Sequence, residues 1–315
     1  MSRSRRLQIG VTGLCLLVVV CMLGPVVLPA PPGIDPAHAA LLPPGTAVTE
    51  IVVDDGRTLV SPSVRFEGDI VVVDGPRRSA TIARSRVNDI RDTRFWLGSD
   101  RFGRDVLAQL MAGGRISISI AALAALIALL VGTTVGLTAA TGGRLVDAVL
   151  MRLVDALMAF PVLFLLILLA TVFRPGPLVL VSVLGMTSWM GLARLVRGQV
   201  LTLRGRTFVL AARAAGSSPM RTWRTHLLPN LAGPLSQDTA LRLGDLVLAE
   251  ATLSFLGLGI PPDIPTWGAM VAQGHRVMID GWWLATLPGF AIAALVISLA
   301  LVGDGIQERL ATGHS

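Results

Sequence analysis

Long apolar runs constrain this chain more than any other feature. Each approaches the roughly 20 residues that an α-helix needs to cross the hydrocarbon core of a bilayer. The runs occupy residues 7–28, 116–138, 149–173, 178–196, 229–256 and 284–302. Inside a bilayer the backbone must satisfy its own hydrogen bonds, so such runs fold as helices. The sequence therefore predicts an all-α integral membrane protein with six transmembrane helices.

Composition agrees with a bilayer as the solvent. Of the 315 residues, 53% are hydrophobic and only 15% charged, and the mean hydropathy is +0.70. A net charge of +7 would suggest nucleic acid as the partner of a soluble protein. Here every basic residue is an arginine, and many lie in short loops between apolar runs, as the positive-inside rule describes. We expect a lipid partner and no nucleic-acid binding.

The first apolar run has two interpretations. The Ala-His-Ala sequence at residues 37–39 resembles a signal-peptide cleavage site. The run is nevertheless long enough to span, which favours an uncleaved anchor with a cytoplasmic N-terminus. Residues 1–29 are therefore interpreted as the N-terminus and first transmembrane helix.

Residues 30–101 differ in kind from the rest, being rich in proline, glycine and charge. Short β-branched runs at residues 50–53 and 69–73 are each followed by an Asp-Gly turn. We predict a small β-rich extracytoplasmic insertion after the first helix. Residues 102–315 then form the core with five transmembrane helices, preceded by a short amphipathic surface helix at residues 103–111.

Arginine distribution predicts the orientation. The loop at residues 194–224 contains seven arginines, and no acid lies between Asp155 and Asp238, which places this loop inside, together with Arg144. The loops at residues 174–176 and 257–283 then fall outside, where tryptophans form an expected interfacial belt. Those tryptophans are Trp267, Trp282 and Trp283. Both termini are expected in the cytoplasm.

Motifs for chemistry are missing from the sequence. It has no nucleophile–base pair, no metal-ligand spacing and no phosphate-binding loop. We therefore expect a non-catalytic protein without catalytic residues, metal or cofactor of its own. If ATP supplies the energy, another chain must bind it.

The basic loop at residues 199–228 is the informative segment. Its alanine-rich stretch at residues 207–216 favours a slender helix that ends at Gly216. Pro229 suits the start of the next span, because the first turn of a helix tolerates proline. From the residues alone, an ordinary cytoplasmic helical hairpin remains an equal alternative.

This loop resembles the E-A-A-x-x-x-G-x(9)-x-x-L-P signature of permease subunits of bacterial ABC importers. The matching residues are Ala211, Ala212, Gly216, Leu228 and Pro229. Leu210 stands where the family has glutamate, so the salt bridge or cap of that glutamate is missing. The resemblance implies a coupling helix that docks on an ATPase. The candidate coupling segment also includes Arg213 and His226.

Other stretches resemble the C-type subunit of dipeptide and oligopeptide permeases. They include residues 97–107 (LGSDRFGRDVL), 152–161 (RLVDALMAFP), 249–259 (AEATLSFLGLG) and 266–270 (TWGAM). The resemblance runs from about residue 95 to the C-terminus. It implies the fold of a type I ABC importer permease with six spans in the bacterial cytoplasmic membrane.

The same resemblance implies several partners. They are a homologous second permease, two ATPase subunits or one fused double ATPase that bind ATP and Mg, and an extracytoplasmic solute-binding protein. The implied cargo is a dipeptide or oligopeptide, with nickel complexes, glutathione or opines as alternatives. A stand-alone secondary transporter is less favoured, because we find no inverted repeats.

Four charged residues lie in the fifth span, where charge is expensive. Asp238, Arg242 and Asp245 fall within about 60° of one another on a helix, and their spacing lets Arg242 pair with both acids. Glu250 matches the family pattern, whereas the other three depart from it. The stripe is either a self-neutralised structural feature or a polar wall of the translocation path.

The orientation can be tested with reporter fusions. We expect fusions near residues 60 and 265 to report an extracytoplasmic location, and fusions near residues 142 and 215 a cytoplasmic one, because arginine-rich short loops stay inside. A cytoplasmic signal at residue 60, or a mature chain beginning after Ala39, would show that the first span is wrongly interpreted.

Overall fold

A computed structural model describes residues 3–27, 35–173, 176–261 and 264–312. Residues 28–34, 174–175 and 262–263 lie outside the described residues. The predictions that fall on them concern the end of the first span, the start of the insertion and the loops at residues 174–176 and 257–283. The described helices are α1 (Arg3–Val27), α2 (Val106–Thr141), α3 (Arg144–Met158), α4 (Val162–Val172), α5 (Pro177–Leu203), α6 (Thr207–Ala214), α7 (Pro219–Thr222), α8 (Leu228–Phe255), α9 (Trp267–His275) and α10 (Trp283–Thr312). The strands are β1 (Thr46–Val53), β2 (Thr58–Ser61), β3 (Ser63–Glu67), β4 (Ile70–Asp74), β5 (Ser79–Ala83) and β6 (Val87–Phe95).

Four described helices are long and apolar enough to cross a membrane. They are Arg5–Val26, Val106–Thr141, Pro177–Leu203 and Trp283–Arg309. The chain is thus a mostly helical, multi-pass membrane protein that also contains β-sheet.

The predicted span at residues 149–173 is interrupted at Pro161, as a proline inside an apolar run leads one to expect: α3 ends at Met158 and α4 begins at Val162. Pro161 stands between them, and proline offers no N–H for helix continuation. The separate surface helix predicted at residues 103–111 is wrong. Its apolar residues belong to α2, which runs without interruption from Val106 to Thr141.

The chain divides into two compact units. The first contains Met1–Leu17, Ser117–Pro261 and Ile292–Ser315, and the second contains Val18–Ile116 and Pro262–Ala291. Helices dominate the first unit, whereas both sheets belong to the second.

Close helix contact in the first unit depends on small residues. Gly132 and Gly136 of α2 form a G-x-x-x-G pair facing α5. A Cβ on Gly132 would lie 2.8 Å from the Cβ of Leu192, and one on Gly136 would lie 2.6 Å from the carbonyl oxygen of Ala193. Without a hydrophobic driving force between helices in lipid, such close packing holds spans together. These contacts fix α5, which contributes to the candidate site described below.

Two three-stranded antiparallel sheets form the β part of the second unit. Their strand orders are β2-β1-β6 and β3-β4-β5. Ile51 and Val53 of the first sheet pack against Val71 and Val73 of the second, and all four side chains are buried. The β-branched runs noted in the sequence therefore do form strands, with alternate residues facing a shared core.

A buried polar loop precedes α2 in the second unit. Asp100 is 3% exposed and accepts hydrogen bonds from the backbone N–H groups of Phe102 and Arg104 at 2.8 Å each. The guanidinium of Arg104 also donates to this carboxylate, at 2.7 Å. Trp283 donates its indole N–H to the carbonyl of Ser99 at 3.1 Å. Residues 97–107 thus form a hydrogen-bonded loop that continues into the first turn of α2.

Candidate functional site

The alanine-rich helix α6 ends at a left-handed glycine, as the sequence predicts. Gly216 has φ +77°, a conformation that favours glycine. Behind it, the Ser217 N–H donates to the carbonyl of Ala212 at 3.0 Å, the bond that defines a Schellman cap. Space around Gly216 is open, since a Cβ there would meet no atom within 4 Å. Backbone conformation, not packing, is therefore what requires glycine at this position.

One side of α6 anchors it and the other is exposed. Val209 is fully buried in the cluster that contains Leu227 and Leu231. Phe208 and Leu210 are 41% and 52% exposed, and the ring of Phe208 lies 6.1 Å from that of His226. Leu210 therefore presents an apolar surface at the position of the family's glutamate.

The remaining coupling residues surround this helix. Ala211 is exposed and Ala212 half-buried, and the side chain of Arg213 lies outside the described part of the structure. Leu228 packs against the cluster around Val209.

One turn of π-helix separates α7 from α8, over residues Trp223–Leu227. The Leu228 N–H bonds to the carbonyl of Trp223, five residues back, and Pro229 has no N–H to continue an α-helical ladder. Sequence reasoning missed this turn, although Pro229 was the available signal. Trp223 borders an apolar cavity of 770 Å³ and a smaller cavity of 260 Å³.

Two of the charged residues on α8 form an ion pair. Arg242 and Asp238 approach to 2.9 Å, and their side chains are 18% and 20% exposed. Arg242 also donates to the carbonyl of Ser188 on α5 at 2.6 Å. The predicted second ion pair, between Arg242 and Asp245, is not among the contacts of the described residues. The guanidinium instead donates to Asp238, four residues earlier on α8, and to the Ser188 carbonyl on α5.

Asp245 faces a cavity of about 300 Å³. Arg242, Ser188 and Gly191 line the same cavity, together with apolar residues. Asp245 is exposed and makes no hydrogen bond or ion pair to any residue that the structure describes.

Glu250 has a different environment from the other three charges. It is fully buried and does not line that cavity. Its carboxylate accepts hydroxyl hydrogen bonds from Ser117 at 2.9 Å and Ser254 at 2.7 Å, which joins α8 to α2. A Cβ on Gly259 would lie 2.2 Å from the Ser254 hydroxyl, so the Leu-Gly-Leu-Gly turn packs directly on this group. Within the described residues, Glu250 therefore links α8 to α2 by a hydrogen bond.

No group of three or more histidine, cysteine, aspartate or glutamate side chains that could hold a metal occurs among residues 3–27, 35–173, 176–261 and 264–312.

Comparison with known proteins gives consistent relatives. A family model described as binding-protein-dependent transport system inner membrane component matches residues 132–313. The chain is 37% identical over 216 residues to the dipeptide transport system permease protein DppC of Bacillus subtilis (strain 168), covering 68% of each protein. It is 35% identical over 217 residues to the di/tripeptide transport system permease protein DppC of Pseudomonas aeruginosa (strain UCBPP-PA14), covering 69% of this chain and 72% of that protein.

Among solved structures, the inward-facing MetNI methionine ABC transporter contains a chain of similar fold. The TM-score is 0.53 with 19% sequence identity, covering 66% of this chain and 96% of that one. At this identity the likeness concerns the fold alone.

The ion pair on α8 predicts an asymmetric response to mutation. Replacing Arg242 with leucine leaves the carboxylate of Asp238 without its counter-ion, and breaking a buried pair this way costs about 3–5 kcal/mol. We expect a marked fall in the thermal unfolding midpoint of the protein in detergent, and recovery of most of it in the Arg242→Leu/Asp238→Leu double variant.

Arg194→Leu is the matched control. Arg194 pairs with Asp155, but their side chains are 47% and 58% exposed, so its loss should cost at most about 1 kcal/mol. If Arg242→Leu is no more destabilising than Arg194→Leu, the pair on α8 is not a stabilising interaction.

Proposed function

The chain belongs to the binding-protein-dependent transport system inner membrane components, and we propose that it forms half of a translocation path for dipeptides and oligopeptides. As a permease subunit of an ABC importer it performs no covalent chemistry, and ATP is bound by partner subunits. Its relatives are named for dipeptides and di/tripeptides, which favours peptides over nickel complexes, glutathione or opines.

The main support for a coupling role is the Gly216 cap, which ends α6 beside open space. The Leu-Pro pair follows at the spacing of the motif, directly after the π-turn. We propose that residues 199–228 form the cytoplasmic loop that docks on an ATPase. Leu210, Ala211, Ala212 and Arg213 lie on the docking helix, while His226, Leu228 and Pro229 connect it to α8. With Leu210 in place of glutamate, the contact at that position is apolar.

The proposed transporter combines this chain with a homologous second permease, two ATPases or one fused double ATPase, and an extracytoplasmic binding protein. Six spans are α1, α2, the broken pair α3–α4, α5, α8 and α10. Residues 30–101 form the extracytoplasmic insertion and residues 102–315 form the core. The protein lies in the bacterial cytoplasmic (inner) membrane, with both termini in the cytoplasm. The arginine distribution supports this orientation.

Transport proceeds by alternating access in this proposal. Closure of the ATPases on ATP and Mg moves α6, and the π-turn passes that movement to α8. The two cavities beside Trp223 leave room for such a shift. α8 carries Asp238, Arg242 and Asp245, so the movement changes the exposure of a polar wall of the path. Glu250 keeps α8 attached to α2 meanwhile.

Peptide uptake by the complete transporter tests this function together with its coupling. Vesicles with all subunits should accumulate a labelled dipeptide only in the presence of ATP. Gly216→Val should assemble yet lose most uptake and the stimulation of ATPase activity by loaded binding protein. A left-handed conformation costs a residue with a Cβ about 1–2 kcal/mol, and β-branching adds to the strain.

Two variants serve as controls for this experiment. Gly205→Val lies in the same loop at a glycine without positive φ, so its uptake should stay near that of the wild type. Gly216→Asn should retain part of the uptake, because asparagine tolerates the left-handed region. Normal uptake by Gly216→Val would contradict the docking role, and ATP-independent uptake by the wild type would contradict the importer.

A further inference from the structure

We propose that Asp245 selects cargo by charge: its carboxylate contacts a cationic group of the passing peptide and favours basic peptides over acidic ones. This inference rests on the proposed function, because it needs a peptide in the cavity that Asp245 lines.

Asp245 is available to bind cargo because Arg242 donates its hydrogen bonds to other acceptors. The Nε and one terminal nitrogen of Arg242 donate to Asp238, at 3.0 and 3.2 Å. The other terminal nitrogen donates to the carbonyl of Ser188 at 2.6 Å. All three guanidinium nitrogens thus have acceptors that hold the group away from Asp245.

The nearby hydroxyls do not engage Asp245 either. Thr187 donates to the carbonyls of Val183 and Leu184, and Ser188 donates to the carbonyl of Leu184. Other lining residues are apolar, contributed by α3, α4, α5 and α8 (Met158, Leu166, Leu184, Met190, Leu246 and Ala249). Asp238 is not one of the lining residues, but it neutralises Arg242, so Asp245 is the charge of the described lining that no described residue balances.

The 300 Å³ cavity and the exposure of Asp245 leave its carboxylate accessible to a ligand. A zwitterionic or cationic peptide brings an ammonium or guanidinium that such a carboxylate attracts, and an acidic side chain is repelled. Asp245 therefore raises the passage of basic cargo relative to acidic cargo.

The test compares the complete transporter carrying the wild-type chain with one carrying Asp245→Asn. Initial ATP-dependent uptake is measured for alanyl-lysine, alanyl-alanine and alanyl-glutamate, with binding protein saturated. We expect the ratio of alanyl-lysine to alanyl-glutamate uptake to fall about fivefold in Asp245→Asn, the effect of losing one solvated ion pair. Asp245→Glu should restore the ratio, because it returns the charge.

Asp304→Asn is the matched control. Asp304 is exposed on α10 and does not line the cavity, so this variant should keep the wild-type ratio. Comparing ratios between variants cancels the preference of the binding protein, which is the same in each.

Two outcomes would overturn the inference. One is an unchanged ratio in an Asp245→Asn transporter that still imports alanyl-alanine. The other is loss of the assembled complex in Asp245→Asn, since Asp245 would then pair with a partner subunit instead of the cargo. A wild-type transporter that imports none of the three peptides would instead contradict the proposed function itself.

Discussion

Polar groups that face the hydrocarbon of a bilayer find no water with which to bond, so they either find a partner within the protein or line a cavity. Glu250 meets this demand with two serine hydroxyls, one from α2 and one from its own helix. Arg242 meets it with Asp238 and a carbonyl of α5. These bonds connect α8 to α2 and to α5. Of the four charges on α8, Asp245 is the one without a partner among the described residues.

The helical hydrogen-bond ladder is interrupted between α6 and α8. Gly216 closes α6 in a conformation that other residues resist, and Pro229 cannot supply the N–H that a regular α-helix would need. Between them lies a segment bordered by cavities at Trp223. Because such a turn connects α6 to α8, it is suited to pass movement from a docking partner to the path, which is the role that we propose for it.

Sequence reasoning predicted features that depend on local chemistry. The Gly216 cap follows from an alanine-rich run ending in glycine, and the strands of the β part follow from β-branched runs. Tertiary contacts were harder to foresee. Helical spacing allowed Arg242 to pair with Asp238 and Asp245 alike, whereas in the structure the guanidinium bonds to Asp238 and to the Ser188 carbonyl of α5. The burial of Glu250 depends on Ser117, 133 residues away, which periodicity cannot reveal.

Access to the path from alternate sides of the membrane is the central claim, and thiol labelling measures it directly. Ala249 lines the cavity beside Asp245, so Ala249→Cys can be introduced after Cys15 and Cys21 are replaced with serine. In the complete transporter, a membrane-impermeant reagent should reach this cysteine from the cytoplasmic side without nucleotide, and from the opposite side once the ATPases are trapped closed. Labelling from neither side, or from the same side in both states, would contradict the account.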